Sequence, residues 1–386
     1  MGNIASYIAV MVAGLVATLI ANRPARVVAL KVGYTAAPDE RKVHQKVTPY
    51  GGGAAMFLGL CIASMVALIF PSLRAIVRNS DEYFGVLLAA GVIFSVGLVD
   101  DFRDVSPPAK VAGEVLAASV LYFSGVVMYY LKLPFAGFID VGGSILPLVT
   151  AAWVFALANA INLIDGLDGL AGGIVAIASG TLCVYGLRLE DLGLLPTNNI
   201  GPLVAAITCG ICLGFLRDNV HPARLFMGDA GALMLGLLMS ASTMVIGGRV
   251  SSTSGVTFFF FAPLLIPVFI LGVPLLDAVS AFVRRTASGQ GFHTADKNHI
   301  HHRLMRLGHG HRRTVFILWG WTALLCGFVL FPLFLPKVNV FIPFGVALLG
   351  IALVTWFHPG LQNNGGEESD DGDHDDTHHV SPVDIS

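Results

Sequence analysis

Eleven long apolar runs divide the chain, at roughly residues 4–22, 50–70, 83–99, 110–131, 144–160, 168–187, 200–216, 230–247, 256–283, 315–334 and 338–357. Each is near the ~20 residues that cross a ~30 Å hydrocarbon layer as a helix. A water-soluble domain has no use for eleven such segments. Only 12% of the 386 residues are charged and 55% are hydrophobic, against about 25% charged in soluble domains. Pro263, Pro267 and Pro274 fall inside one run, which neighbouring helices in a bilayer accommodate. The expected fold is therefore an all-α integral membrane protein of about eleven transmembrane helices. It would occupy residues 1–360, followed by a tail over 361–386. The first run lacks a preceding basic segment and is expected to be retained rather than cleaved as a signal. Cys61, Cys183, Cys209, Cys212 and Cys326 all lie in the runs and imply no disulfide. The CxxC of Cys209 and Cys212 has no other ligand near it in sequence.

Basic residues set the expected orientation. Odd-numbered connections between runs hold 17 Lys and Arg residues and even-numbered ones hold six. The odd side is then cytoplasmic, with the N-terminus outside and the C-terminus inside. The same connections carry nearly all the unusual polar clusters. Transporters place ionisable groups at mid-membrane and often repeat one half, and neither feature is evident. The tail from Gln362 has eight acidic residues and three histidines with almost nothing apolar, and is expected to be disordered. Without it the formal charge of −2 becomes about +6, the sign suited to anionic substrates.

Five polar clusters lie in the odd-numbered connections or at the ends of the runs beside them. Asp100, Asp101 and Asp104 follow Val99, with Lys110 beyond Pro107 and Pro108. On a continuing helix the three carboxylates occupy about a 100° arc, which is repulsive unless a cation is near; the plainer reading is a solvated helix end. Asn159, Asn162, Asp165 and Asp168 come next, with Gly166 and Gly169 among them. Asparagines inside an apolar run are costly unpaired, and they and the aspartates offer hard oxygen ligands. Asp229 lies between Gly228 and Gly231 after Arg224, either a turn or a ligand approached by backbone. His299, His301, His302 and Arg303 stand in the longest connection of the odd set. They lack the helical spacing of zinc-binding pairs and suit phosphate better. Arg41, Lys42, His44 and Lys46 precede Pro49 and Gly51–Gly53, read either as topology plus a tight turn or as a basic collar at the membrane surface. Carboxylates, amides and basic groups on one face match the way Mg²⁺ is held by one or two protein oxygens, water and substrate phosphates. Phosphoryl transfer at a membrane surface follows from that inventory.

Together these clusters resemble the polyprenyl-phosphate N-acetylhexosamine-1-phosphate transferases (glycosyltransferase family 4), and most of all their WecA-type branch. The resemblance spans roughly residues 38–313 and rests on DDFRD at 100–104, NAINLIDGLDGLA at 159–171, FMGDAG at 226–231 and HIHH at 299–302, with PLLD at 274–277. It implies that Asn162 and Asp229 hold Mg²⁺, or Mn²⁺ in its place. Asp100 and Asp101 would lie beside the lipid phosphate and the metal, and Lys110 would bind phosphate. Asp168 would help seat the uracil, and the His299–Arg303 segment would shape the sugar-nucleotide pocket. Lys42, His44, Asp104, Asn159 and Asp165 join the substrate-binding set. Val47 and Tyr50 stand where the family commonly has a proline and a basic residue, and His293-Thr294-Ala295-Asp296 replaces a proline-containing segment. Asp104 in place of lysine argues against the branch that transfers phospho-MurNAc-pentapeptide.

The implied reaction moves GlcNAc-1-phosphate from UDP-GlcNAc to undecaprenyl or decaprenyl phosphate, releasing UMP, as a first membrane step of a cell-envelope glycan. Asp100 is either a base or an orienting group. The rivals are the same chemistry on UDP-MurNAc-pentapeptide or UDP-GalNAc, a transporter of an anionic solute, and an idle scaffold. The implied partners are the lipid, the UDP-sugar and the bilayer of a bacterial plasma membrane, with no nucleic acid; a homodimer is compatible with the resemblance.

Overall fold

The computed structural model describes residues 4–36, 48–103, 105–133, 137–249, 310–335 and 341–356. The expected span at 256–283, the basic residues Lys42 and His44, Asp104, the segment His299, His301, His302 and Arg303, and the acidic tail lie outside the described residues.

The described chain is almost entirely helical. The helices are α1 (Ile4–Val32), α2 (Gly52–Ala67), α3 (Pro71–Arg78), α4 (Asp81–Arg103), α5 (Pro107–Phe123) and α6 (Leu146–Ile164). They continue with α7 (Leu170–Asp191), α8 (Gly201–Asn219), α9 (Gly228–Gly247), α10 (His311–Phe334) and α11 (Phe341–Trp356). Two short antiparallel pairs complete it. In the first, β1 (Thr35–Ala36) pairs Thr35 with Pro49 of β2 (Thr48–Pro49); in the second, β3 (Tyr130–Leu133) pairs with β4 (Gly137–Asp140). Seven of these helices, α1, α4, α6, α7, α8, α9 and α10, are long and apolar enough to cross a membrane, or eight if α2 and α3 form one bent span. The protein is a multi-pass membrane protein.

Two expected spans differ in detail. The run at 50–70 breaks after Ala67, and α3 leaves at 116° to α2. Pro71 at the first turn of α3 disfavours helix in the residue before it, and Arg74 Nε donates to the freed Leu68 carbonyl at 2.7 Å. The run at 110–131 ends as helix at Phe123, where the Val126 and Gly125 N–H groups return to the Leu121 and Tyr122 carbonyls at 2.9 and 3.0 Å. Those bonds satisfy the last turn's carbonyls and stop the helix.

α9 is the central helix. Its most apolar stretch is 94% buried, against 39% for α1, α4, α6 and α10. A helix apolar all round has to be enclosed on every side, and α9 packs on α2, α4, α6 and α8. The outer helices turn apolar side chains outward instead, such as Phe84 and Leu148, as lipid-facing surfaces do. Small residues bring the helices close: a Cβ at Gly236 of α9 would run into the Ala158 backbone of α6, and one at Gly210 or Gly214 of α8 would strike the Met11 or Leu15 carbonyl of α1.

Long-range bonds sort the helix ends. The C-terminal ends of α1, α4, α6 and α8 meet the N-terminal ends of α2, α5, α7 and α9. Tyr34 reaches Asp101, Lys110 reaches Asp229, and the Gly169 N–H donates to Asn219 Oδ1 at 2.9 Å. At the other end Arg249 holds Glu82 through two bonds of 2.6 and 3.1 Å and the Gly125 carbonyl at 2.8 Å. The described polar clusters, around Asp100, Asn162 and Asp229, thus share one end of the bundle.

Candidate active site

The cluster is built on α9. Gly228 opens that helix at φ +68°, a left-handed conformation costly for residues with a Cβ. A Cβ there would lie 2.5 Å from Asp101 Oδ2, so glycine also leaves room for a carboxylate. Asp101, from the last turn of α4, fills that room. Its Oδ1 accepts the Asp229 N–H at 2.8 Å, and its Oδ2 accepts the Ala230 N–H at 3.1 Å and the Tyr34 hydroxyl at 2.5 Å. Asp101 therefore caps α9 from another helix, satisfying donors that a helix start leaves unpaired and opposing the positive end of its dipole. Burial, with Asp101 beside it, pushes the Tyr34 hydroxyl well above its ordinary pKa, so it remains a donor. The ring of Tyr34 stacks on Phe102 at 4.2 Å.

The cap positions Asp229 one residue into α9. Lys110, in the first turn of α5, bridges Asp229 and Asp100, at 2.8 Å from Asp100 Oδ2. Side-chain exposures of 18% for Lys110, 13% for Asp100 and 29% for Asp229 make this a shielded group with an opening to solvent. Asp100 Oδ1 accepts the Val105 N–H at 2.8 Å, which ties the α4–α5 turn to the cluster. From α6, Asn162 Nδ2 lies 3.3 Å from Asp229 Oδ2. Four helices thus bring Asp100, Lys110, Asn162 and Asp229 together. Asp165 stands just past the end of α6, and burial, with the Asp229, Asp101 and Asp168 carboxylates, pushes its carboxyl well above the usual range.

Two other described candidates, Asn159 and Asp168, lie nearby. Asn159, one turn before Asn162, donates to Glu114 Oε2 of α5 at 2.9 Å. Glu114 is buried, lies four residues after Lys110 on the same helical face, and has no counterpart among the sequence candidates. Its signal was a lone carboxylate within an apolar helix. Asp168 is 1% exposed at its side chain, and its Oδ2 accepts the Ala223 N–H at 3.0 Å and sits 2.8 Å from His221 Nδ1. It therefore organises the 220–224 loop, with His311 of α10 stacked on His221 at 4.3 Å. Asp168, His221 and His311 offer possible ligand atoms within 4.8 Å of one another. The DGLDG turn bends at Gly169, whose φ is +80°. Tyr34 and His221 carried no recognisable spacing signal. Gly52 and Gly53, which follow the basic segment, dock α2 on the loop before α9, their N–H groups donating to the Phe226 and Met227 carbonyls at 2.9 and 3.0 Å.

The donor chemistry suits a hard divalent cation. Among the described residues, Asp100, Asp101 and Asp229 converge with a single ammonium, that of Lys110, which already bridges two of them, so carboxylates outnumber cations.

A sequence model of glycosyl transferase family 4 matches residues 83–247, from the first turn of α4 to the end of α9, and so takes in Asp100, Lys110, Asn162 and Asp229. A decaprenyl-phosphate N-acetylglucosaminephosphotransferase of Mycobacterium tuberculosis is 38% identical over 81% of this chain and 80% of its own length. A probable undecaprenyl-phosphate N-acetylglucosaminyl 1-phosphate transferase of Bacillus subtilis is 34% identical over 84% of this chain and 82% of its own. A phospho-N-acetylmuramoyl-pentapeptide-transferase of Clostridioides difficile is 31% identical over 76% of this chain and 87% of its own.

Proposed function

The chain belongs to glycosyl transferase family 4, among the polyprenyl-phosphate N-acetylglucosamine-1-phosphate transferases, and we propose that it performs their reaction at the cluster of Asp100, Lys110, Asn162 and Asp229. A phosphate oxygen of the polyprenyl phosphate attacks the β-phosphorus of UDP-GlcNAc. The bond from that phosphorus to the bridging oxygen breaks, UMP leaves with the bond's electrons, and polyprenyl-diphospho-GlcNAc forms. The observation that carries the reading is the convergence of these side chains from four helices at one end of the bundle.

Asp229 and Asn162 are the residues that would hold Mg²⁺, or Mn²⁺, with Asp100 beside them. A bound divalent cation supplies charge neutralisation to the phosphates in such reactions. Lys110 supplies a second positive charge to the transferring phosphoryl group, of the kind that lowers barriers when it is preorganised. A phosphomonoester has its second pKa near about 6, so the acceptor is mostly dianionic at neutral pH. Asp100, held by Lys110 and the Val105 N–H, then orients rather than deprotonates. Asp101 supports the site by fixing the start of α9, and Asp168 by fixing the loop beside the nucleotide.

The reading extends to eleven crossings, an outside N-terminus, and an active face and C-terminus in the cytoplasm, supported by the 17 basic residues in the odd connections against six in the even ones. It includes the His299–Arg303 segment and the Lys42–His44 collar as parts of the donor and acceptor sites. Assembly as a homodimer is compatible with it and is tested by crosslinking in membranes.

Purified protein supplied with polyprenyl phosphate and a panel of UDP-GlcNAc, UDP-GalNAc and UDP-MurNAc-pentapeptide tests the proposal through UMP release. The expected result is turnover with UDP-GlcNAc well above the other two. Preference for another donor would move the chain within the family, and absence of UMP with every donor would overturn the reading.

A further inference from the structure

We propose that a cavity between α1 and α8, apart from the carboxylate cluster, binds the headgroup of an anionic phospholipid. The cavity measures about 360 Å³ and is lined by Asn22, Arg23 and Arg26 of α1, Arg217 and Asp218 of α8, and Arg224 of the following loop. Four guanidiniums face a single carboxylate. That carboxylate is bonded to the neutral amide beside it, its Oδ2 accepting from Asn22 Nδ2 at 2.9 Å. Among the described residues none of the four guanidiniums forms an ion pair. Like charges gathered in this way repel one another, and a phosphate relieves that repulsion through the paired N–H groups of arginine.

The walls are preformed. Gly210 and Gly214 allow α8 to touch the α1 backbone at Met11 and Leu15. Asn22 Nδ2 also donates to the Gly214 carbonyl at 3.1 Å, locking the two helices at the cavity's edge.

The ligand's other end is written on α1. Leu19 and Ile20 complete the lining, and Ile20 is 67% exposed. It belongs to a row of exposed apolar residues at four-residue steps, Ile4, Ile8, Val12, Val16 and Ile20, each about 40° around the helix from the one before. That row runs along the candidate membrane span Ile4–Val32, and exposed Val27 and Val28 continue it past Arg23 and Arg26, so the arginines sit beside exposed apolar surface. A molecule with an anionic head and apolar tails fits both features, and basic pockets between membrane helices take such headgroups. A soluble phosphate compound would use the arginines and leave the stripe without a role. The cavity lies on α1, α8 and residues 224–225, whereas Asp100, Lys110, Asn162 and Asp229 lie on α4, α5, α6 and α9. The inference therefore stands whichever sugar donor the carboxylate cluster uses.

Native mass spectrometry of the full-length protein in detergent, titrated with phosphatidylglycerol or phosphatidylcholine, tests it. Wild type should retain phosphatidylglycerol in preference. Each guanidinium near a charged surface contributes about fivefold, so Arg23→Gln/Arg26→Gln/Arg217→Gln should weaken retention about a hundredfold and abolish the preference. Arg23→Gln and Arg217→Gln alone, about fivefold each, carry the test if the triple variant does not fold. Lys31→Gln, which removes a charge from the same helix outside the cavity, should retain the lipid as wild type does. Equal retention of the two lipids, undiminished binding by the arginine variants, an equal loss with Lys31→Gln, or displacement of the lipid by millimolar inorganic phosphate would each overturn the inference.

Discussion

Replacing Asp101 by alanine separates a helix cap from a group that touches substrate. The carboxylate accepts the Asp229 and Ala230 N–H groups and the Tyr34 hydroxyl at 2.8, 3.1 and 2.5 Å. Hydrogen bonds to a charged partner contribute about 1.5–3 kcal/mol each, but loss of an N-cap costs only about 0.5–2 kcal/mol when water or neighbours compensate. Three donors sharing one half-buried carboxylate place the loss at about 3 kcal/mol, about 6 °C or less in a chain of this size. Tyr34→Phe removes a single donor and should lower stability by about 1 kcal/mol. In the double variant the tyrosine has no carboxylate left to lose, so its effect should vanish, a coupling that a double-mutant cycle reads directly. Thermal unfolding in one detergent at one scan rate, with UMP release measured below the transition, is the assay. Asp101→Ala should be less stable and slower, and Tyr34→Phe should show the same pattern in milder form. An Asp101→Ala protein as stable as wild type, or a Tyr34→Phe effect of equal size in both backgrounds, would refute the capping role.

Four further outcomes follow from the same geometry. Asp229→Asn should fold normally yet lose about 10²–10³-fold in kcat, the size of a lost preorganised electrostatic contact; near-normal turnover would remove the metal assignment. Chelation with EDTA should stop UMP release, and added Mg²⁺ or Mn²⁺ should restore it, measured with the same assay. Gly228→Ala should destabilise by about 1–2 kcal/mol from the left-handed backbone alone and also slow the reaction, because the new Cβ meets Asp101 at 2.5 Å; unchanged melting would show that α9 begins differently. Asp168→Ala should raise KM for the UDP-sugar more than it lowers kcat, as the 220–224 loop loses the bonds at Ala223 and His221.

Much of this architecture was legible in the amino-acid order alone. Hydrocarbon thickness fixes how long an apolar run must be, so most of the membrane helices could be read off directly, including α1, α4 and α9. Asp100, Asn162 and Asp229 were visible because polar groups at the edge of an apolar run need a reason to be there. Composition cannot report where a run bends, as at Ala67, because that depends on how Pro71 and Arg74 treat the last turn of α2.

The division of labour among the carboxylates was decided only in three dimensions. Asp100 and Asp101 are neighbours in sequence and alike in chemistry, yet one faces Lys110 and the other the first turn of α9. A 100° step around α4 points them at different partners, Lys110 ten residues on for Asp100 and the start of α9, 128 residues on, for Asp101. Glu114 with Asn159, and Tyr34 with Asp101, are likewise pairs that no local spacing announces. Hydrophobic length acts along the chain and is therefore written in it. Hydrogen bonds between helices act across the bundle, and they exist only once α9 is enclosed and the helix ends meet.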